Sequence, residues 1–513
     1  MIRRIGFTHR PMSRTAAAAA TTAAAAVVLG VGHLVAAFID PASSPFFVLG
    51  ATVVDRTPKW LKDNAIRWFG TNDKLALAIT MGVVMVAAAA LIGQVTRRKL
   101  ALGACGLGGL GLVVAVLALS RPTATPLFAI PAVVGTCAGI AALCALFLVP
   151  ADAGRQAGPT RRGFLLALGV VVAGAAAAGT AGRIIGQRLR DIGADRAAFV
   201  LPRVADPIPP VAPEMDLAVP GLTRFITPAA DFYRIDTALQ LPSLTRDRWR
   251  LRIHGMVDRE IRLDFDELSA RPAVESLITL TCVSNEVGGG LAGTATWTGY
   301  RLADLLREAG PARDADMLLS RSIDGFTAST PLAAILDNPD ALLAVAMNGA
   351  ALPVANGYPA RMIVPGLYGY VSATKWVVDL ELTRFDRAAA YWTERGWADR
   401  APIKTASRID VPAAFANLPA GPVTVAGVAW AQGRGITAVE VQVDDGPWQQ
   451  AMLAAAYSID TWRQWTWVWN ASPGTHALRV RAVDATGTVQ TDVRTTPFPD
   501  GATGRHSRVV TVR

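Results

Sequence analysis

Apolar residues crowd the first third of the chain. Before about residue 182 they form runs of roughly 20 positions, the length a helix needs to cross a bilayer: Thr15–Phe38, Leu75–Val95, Leu100–Leu119, Leu127–Val149 and Gly163–Gly182. The first and last are rich in Ala and Gly, so their drive to insert is weaker than that of the middle three. Beyond Arg183 polar positions return. Leu201–Leu222 holds Pro202, Pro207, Pro209, Pro210, Pro213 and Pro220, which predicts a stiff, extended arm. From Arg224 to Arg400 short β-rich runs mix with a few helical stretches. Leu302, Leu305 and Leu306 share one helical face and Gly310-Pro311 stops that helix, while Arg361–Val364 before Pro365-Gly366 reads as a buried strand and turn.

From about Val423 the period changes to two. Val439, Val441 and Val443 alternate with Glu440, Gln442 and Asp444 before the turn Asp445-Gly446. Trp465, Trp467 and Trp469 alternate again, as do Leu478, Val480 and Ala482. Short strands and Gly/Pro/Asp turns over roughly ninety residues predict a β-sandwich of immunoglobulin-like type. The expected fold class is therefore multi-domain: transmembrane α-helices over 1–182, a Pro-rich arm over 183–223, an α+β domain over 224–410 and the β-sandwich over 411–513.

Basic residues set the expected topology. Arg3, Arg4, Arg10 and Arg14 precede the first run, Arg97, Arg98 and Lys99 fill the second-to-third loop, and Arg155, Arg161 and Arg162 precede the fifth. All three stretches share a side if the N-terminus is cytoplasmic. The Ser120–Pro126 loop carries only Arg121, and the Asp40–Lys74 loop is nearly neutral, with Asp55, Asp63 and Asp73 against its basic residues. An odd number of crossings then places everything after Gly182 outside the cytoplasm, as part of a multi-pass protein of the cell membrane. Thr160-Arg161-Arg162-Gly163-Phe164-Leu165 carries a further pattern: paired Arg followed by Phe-Leu is that of twin-arginine export. A positive flank on a membrane helix gives the same residues a plainer reading. Only His33 lies within a run, so a transmembrane haem pair has no ligands and the helices serve as an anchor.

Composition narrows the field. With 52% hydrophobic and 18% charged residues, the chain is neither disordered nor a purely cytosolic enzyme. The net charge of +10 comes without a long Lys/Arg run, which argues against a nucleic-acid partner. Cys105, Cys137 and Cys144 fall in apolar runs, and Cys282 stands alone in the soluble part, so no disulfide framework is expected. Cys282 follows the apolar run Leu277–Leu280 and opens Val283-Ser284-Asn285-Glu286, a strand end leading into a polar loop. A lone cysteine there is a buried hydrophobe, a nucleophile in want of His254, or the single thiolate of a metal whose other ligands belong to a cofactor.

The surroundings of Cys282 resemble the sulfite oxidase family, as do Trp297-Thr298-Gly299, Met347-Asn348-Gly349 with Leu352-Pro353, Gly357-Tyr358-Pro359-Ala360-Arg361 with Val364-Pro365-Gly366, and Lys375-Trp376. The resemblance runs from about Arg224 to Arg513. It implies a molybdenum-molybdopterin cofactor in an α+β domain, followed by an immunoglobulin-like dimerisation domain and hence a homodimer. It also implies that Cys282 ligates molybdenum and that Tyr233, Arg234 and Asp236 lie in a pterin-contacting segment. Arg361, Lys375 and the nearby Thr374 would hold the phosphate end, and Asp324 would bond the pterin ring. Asn356 replaces a histidine common in relatives.

The sequence also departs from the sulfite-oxidising pattern. Glu286 and Val287 stand where arginines receive the anion, and Trp397 stands where a tyrosine nears the metal. Arg434, in Gly433-Arg434-Gly435, resembles an arginine that approaches the site, though an exposed turn residue is equally expected there. Sulfite is thus disfavoured as substrate. The reading is two-electron oxygen-atom transfer on a small molecule, with electrons passing to a separate cytochrome- or quinone-linked partner. A sulfoxide reductase on the same cofactor and a cofactor-free binding or adhesion protein are the alternatives.

Overall fold

The computed structural model describes residues 7–9, 12–58, 61, 64, 68, 69, 73–121, 124–150, 161–189, 191–238 and 240–513. Arg3, Arg4, Arg10, Asp63, Arg155 and Thr160, which entered the topology and export arguments, lie outside them. The chain divides into two compact units, one of residues 1–191 with 238–241, the other of 192–237 with 242–513.

The first unit is helical: α1 (Arg14–Ile39), α2 (Pro45–Arg56), α3 (Asp73–Thr96), α4 (Leu100–Leu119), α5 (Ile130–Phe147) and α6 (Arg161–Leu189). Among the described residues, five helical stretches are long and apolar enough to span a membrane: Arg14–Ile39, Leu75–Thr96, Leu100–Leu119, Pro126–Phe147 and, within Arg161–Ala197, helix α6. Ser13 caps α1, its Oγ accepting from Ala16 N at 3.1 Å. The Ala/Gly-rich α1 packs against α3, α5 and α6. A Cβ on Gly30 would stand 2.3 Å from Ala175 O, and one on Gly182 2.8 Å from Leu34 Cα, so small residues are what let these backbones approach.

One end of the bundle joins the chain's start to the basic loop, through Arg97 Nε to Met12 O at 3.0 Å and Gln94 Nε2 to Arg14 O at 3.1 Å. The other end carries the Arg121–Asp55 ion pair at 2.7 Å, linking the two loops of low net charge. The Asp40–Lys74 stretch, read as a loop, contains helix α2, whose Val48 packs with Val114, Ala118 and Phe128.

The second unit opens with the short helix α7 (Ile192–Ala197). Its strands are β1 (Arg250–Gly255), β2 (Ile261–Asp264), β3 (Val274–Thr281), β4 (Ala292–Arg301), β5 (Met317–Ser322), β6 (Thr327–Pro331), β7 (Leu342–Met347), β8 (Ala350–Ala351), β9 (Arg361–Ile363) and β10 (Val377–Thr383). Between β4 and β5 lies α8 (Leu302–Ala309), which buries Leu302, Leu305 and Leu306 and ends at Gly310 as its spacing predicts. One sheet runs β8-β7-β4-β3 with β9 also on β7, the other β2-β1-β10-β5-β6. Period-two alternation buries the first sheet on both faces. Leu277, Tyr300, Leu343 and Val345 enter the large core shared with the second sheet, while Ile278, Trp297, Leu342 and Ala344 face a smaller core with Phe232 and Tyr358.

The C-terminal residues form two further sheets. One contains β11 (Ala406–Val411), β13 (Gly421–Trp430), β16 (Met452–Leu453) and β17 (Arg463–Ala471). The other contains β12 (Asn417–Leu418), β14 (Ile436–Val443), β15 (Gln449–Gln450), β18 (Gly474–Asp484) and β19 (His506–Val512). Val439, Val441, Trp465, Trp469, Leu478 and Val480 meet in their common core, while Val468 between two of the tryptophans is exposed. The large core continues into this region through Val428, Trp430 and Trp462. The Pro-rich arm lies along it: Tyr457 donates to Pro209 O at 2.8 Å, Ala455 N to Glu214 O at 2.8 Å, and Asp216 Oδ1 accepts from Phe225 N at 3.0 Å and Gln464 Nε2 at 2.9 Å.

Candidate functional site

Strand β3 leaves the core at Thr281, and Cys282 is the first residue beyond it. The loop folds back at once. Cys282 N donates to Leu291 O at 2.9 Å, Asn285 N to Cys282 O at 3.0 Å, and Asn285 Oδ1 accepts from Leu291 N at 2.8 Å. Cys282 is buried, and its Sγ accepts from Ser284 N at 3.4 Å. Burial pushes this thiol above its ordinary pKa, more than the contacts with Ser284 lower it. The strand end is braced by the C-terminal region: Thr279 N donates to Asp460 O at 3.0 Å, Trp462 N to Thr279 Oγ1 at 2.7 Å, and Gln432 Nε2 reaches both Thr279 O and Thr281 Oγ1 at 3.2 Å. Farther along the loop, Arg408 Nη1 donates to Gly289 O at 2.8 Å.

Arg361 begins the buried strand β9 and is itself 6% exposed. Its Nη1 donates to Asn356 O at 3.0 Å and its Nη2 to Ala373 O at 3.2 Å, and the guanidinium lies 5.1 Å from the Trp297 ring centre. Among the described residues it forms no ion pair, and burial lowers its pKa to about 10. Lys375 Nζ stands 3.0 Å from Asp236 Oδ2 and 3.1 Å from Ala355 O, over the Trp376 ring at 4.6 Å. Burial, only partly offset by Asp236, brings its pKa down to about 8. A Cβ on Gly357 would come 2.9 Å from Arg361 Cβ and 3.2 Å from Lys375 Cβ, so this loop packs onto both cations only with glycine there.

Tyr233, Asp236, Cys282, Asp324, Asn356, Arg361 and Lys375 line one cavity. Tyr233 is raised in pKa first by burial and next by the nearby Cys282. Asp324 Oδ1 accepts from Phe326 N at 3.1 Å, closing the turn that presents it. Four residues singled out in the sequence stand off this lining. Arg234, half exposed, pairs with Asp236 at 2.7 Å, and Thr374 Oγ1 bonds Ser320 Oγ at 2.7 Å. Trp397 packs on Tyr370 and Trp392, with ring centres 5.8 and 6.1 Å away. Arg434 is committed to Asp484 at 2.9 Å and to Ile403 O and Thr405 Oγ1 at 3.1 Å. Glu286 is exposed and is also absent from the lining, which weakens its repulsion of an anion in the cavity.

Phe326, Tyr370 and Trp392, which belong to no motif in the sequence, give the cavity an aromatic wall. The only local signal for them is aromatic residues set among small or polar neighbours, as in Tyr368-Gly369-Tyr370. Chemically the cavity pairs a soft sulfur donor with two buried cations. Among the described residues, Arg361 lacks a counter-charge and Lys375 has one carboxylate, so an anion brought here gains charge-assisted hydrogen bonds. Among the described residues, no group of three or more His, Cys, Asp or Glu is placed to hold a metal. The donor set thus fits a metal that arrives with its own ligands on a phosphate-bearing carrier.

The family model for an oxidoreductase molybdopterin binding domain matches residues 238–392. The chain is 30% identical to mitochondrial sulfite oxidase of Mus musculus over 319 residues, covering 52% of this chain and 58% of that protein. It therefore spans little over half the length of the mammalian relatives it matches. It is 31% identical over 150 residues to the uncharacterized oxidoreductase YuiH of Bacillus subtilis, covering 29% of this chain and 72% of that protein. Among solved structures, the sulfane dehydrogenase SoxCD of Paracoccus pantotrophus shares the fold with a TM-score of 0.51 at 24% identity, over 57% of this chain and 84% of that one. With a buried thiol and two largely buried cations facing one cavity, these likenesses place the chain in the sulfite oxidase family of molybdopterin-binding oxidoreductases, enzymes dependent on a molybdenum-molybdopterin cofactor.

Proposed function

We propose that the protein is a membrane-anchored oxidoreductase with its catalytic unit on the extracytoplasmic side, carrying out two-electron oxygen-atom transfer at a molybdenum ligated by Cys282. The observation that carries this reading is the convergence of Cys282, Arg361 and Lys375 on one cavity. When bound, the cofactor supplies the redox chemistry, and the protein binds and orients it. Cys282, raised in pKa by burial, would stay a thiol in the empty site and would lose its proton to solvent on ligating the metal, whose charge stabilises the thiolate. Arg361 and Lys375 take the phosphate end, with Thr374 behind them, and Tyr233, Asp236, Asp324 and Asn356 supply polar contacts to the pterin. Trp397 bears on the reacting centre indirectly, through Tyr370 and Trp392, and Arg434 through Tyr368, which feels the charges of both Cys282 and Arg434.

Membrane anchoring is supported by five spanning-length apolar helices and by the gathering of basic residues at one end of the bundle. Two sheets around one core support an immunoglobulin-like C-terminal domain, while a homodimer through it rests on the family resemblance alone. Electrons pass to a separate cytochrome- or quinone-linked acceptor. Sulfite is disfavoured because Arg434 is already neutralised by Asp484. The aromatic wall of Phe326, Tyr370 and Trp392 suits a neutral organic group, so reduction of a sulfoxide is the second reading.

Metal analysis of detergent-purified protein, wild type beside Cys282→Ser, tests the proposal. Near-stoichiometric molybdenum in the wild type and its loss in the variant are expected. Metal-free wild type from a host that loads related enzymes would overturn it, in favour of a cofactor-free binding protein.

A further inference from the structure

Helix α7 follows the last apolar helix in sequence and belongs to the compact unit that holds the site. Its Asp195 gathers three donors: Arg246 N at 3.0 Å, Arg246 Nε at 3.1 Å and the Tyr358 hydroxyl at 2.5 Å. Arg246 Nη2 also donates to Asp195 O at 3.0 Å. The next residue, Arg196, donates to Leu352 O at 2.8 Å and Ala351 O at 3.2 Å. Two consecutive side chains therefore grip both ends of the segment 351–358.

That segment supplies the carbonyls that orient the buried cations. Ala355 O accepts from Lys375, Asn356 O from Arg361, and Val354 O from the Trp376 indole. Tyr358 is fully buried, so its hydroxyl has no water to turn to. Burial would raise Asp195, but the bonds from Tyr358 and Arg246 outweigh it and hold the carboxylate below its ordinary range. The contact is thus a charge-assisted bond between fixed partners.

We propose that Asp195 and Arg196 are positioning residues for the phosphate end of the cofactor, acting through the 351–358 segment on Arg361 and Lys375. The proposal rests on the assignment of those two cations to the cofactor's phosphate. Without the grip, the segment and its carbonyls gain freedom, and the cations lose the orientation that suits an anion.

The test uses the full-length, cofactor-loaded protein in detergent, as wild type, Asp195→Asn and Tyr358→Phe. Cofactor release is followed by pterin fluorescence, thermal unfolding is recorded on the same samples, and the Mo(V) signal is read on the loaded fraction. Release about tenfold faster in both variants is expected, the loss of one charge-assisted bond, with an unchanged Mo(V) signal because Cys282 is not disturbed. Release at the wild-type rate overturns the proposal, and so does a lower unfolding temperature with unaltered release. Should Asp195→Asn fail to fold, Tyr358→Phe, which keeps the ring, decides alone. Wild type without molybdenum would instead overturn the assignment of the site.

Discussion

Arg361 holds its guanidinium 5.1 Å from the centre of the Trp297 ring and spends its donors on the main-chain carbonyls of Asn356, Ala373 and Met362. Carbonyl dipoles and a ring face soften the burial of a charge without cancelling it, and the depressed pKa of about 10 records the remainder. Under the proposed function, the phosphate that Arg361 binds offsets this cost of burial.

Arg361→Met should therefore separate stability from loading. The cofactor-free variant is expected to be as stable as wild type, or more stable by about 1–4 kcal/mol, as when hydrophobic residues replace buried charges. Molybdenum and pterin content should fall below about a tenth, since a buried charged hydrogen bond is worth about 1.5–3 kcal/mol. Denaturant titration of the apo form and metal analysis of the loaded form check the two halves. A destabilised apo variant would mean that Arg361 is structural.

Lys375 should give the site an alkaline limit. In the folded protein it releases its proton at about pH 8, against 10.5 for an unburied lysine. Between those values the unfolded chain binds more protons, so the apo protein gains stability as pH rises through that window. Phosphate needs the ammonium form, so cofactor retention should move the opposite way and fall above about pH 8. Asp236→Asn removes the charge that raises Lys375 and should shift both trends to lower pH. Apo stability and pterin retention, measured from neutral pH upward, test this; retention independent of pH would remove Lys375 from the phosphate site.

Much of this architecture is legible in the residues themselves. The one-face leucines of α8 and the alternating tryptophans of β17 are local patterns, and local patterns set local structure. Cys282 and Arg361 are legible as a strand end and a strand start. Pairings across long stretches of chain are not legible in this way. Arg434 meets Asp484 fifty residues on, Tyr370 reaches the cavity from the short helix Gly369–Ser372 and Trp392 from a separate turn, and Asp195 meets Tyr358 across 163 positions. Helix α2 was obscured for another reason: its short apolar run is flanked by charges that read as loop.

The alanine and glycine content of α1 and α6 has a packing cause, and it predicts a defect. Gly182→Leu would place a side chain where even a Cβ lies 2.8 Å from Leu34 Cα. The two helices should separate, with a lower unfolding temperature of the detergent-solubilised protein and faster proteolysis of α1 and α6. Gly169→Leu, with open space around its Cα, is the control and should leave both unchanged.

The loop after Cys282 rests on His506. Gly288 has φ +81°, and a Cβ there would stand 2.2 Å from His506 Cδ2. Gly288→Ala meets both a backbone penalty of about 1–2 kcal/mol and a clash with a ring fixed by Ile409 N, which donates to His506 Nδ1 at 3.0 Å. The loop must move, and Cys282 lies only six positions away. We expect an altered Mo(V) signal and at least about tenfold lower turnover. His506 also predicts an acid limit. Burial first, then Arg508 and Arg408, lower its pKa to about 4, so the folded state favours the neutral ring. Its contribution is intact above about pH 6.5 and is lost as pH falls towards 4, at most about 3 kcal/mol at 1.4 kcal/mol per unit. His506→Gln, which keeps an acceptor for Ile409 N and cannot titrate, should flatten stability against pH across that window. An acid limb unchanged in the variant would show that another group sets it.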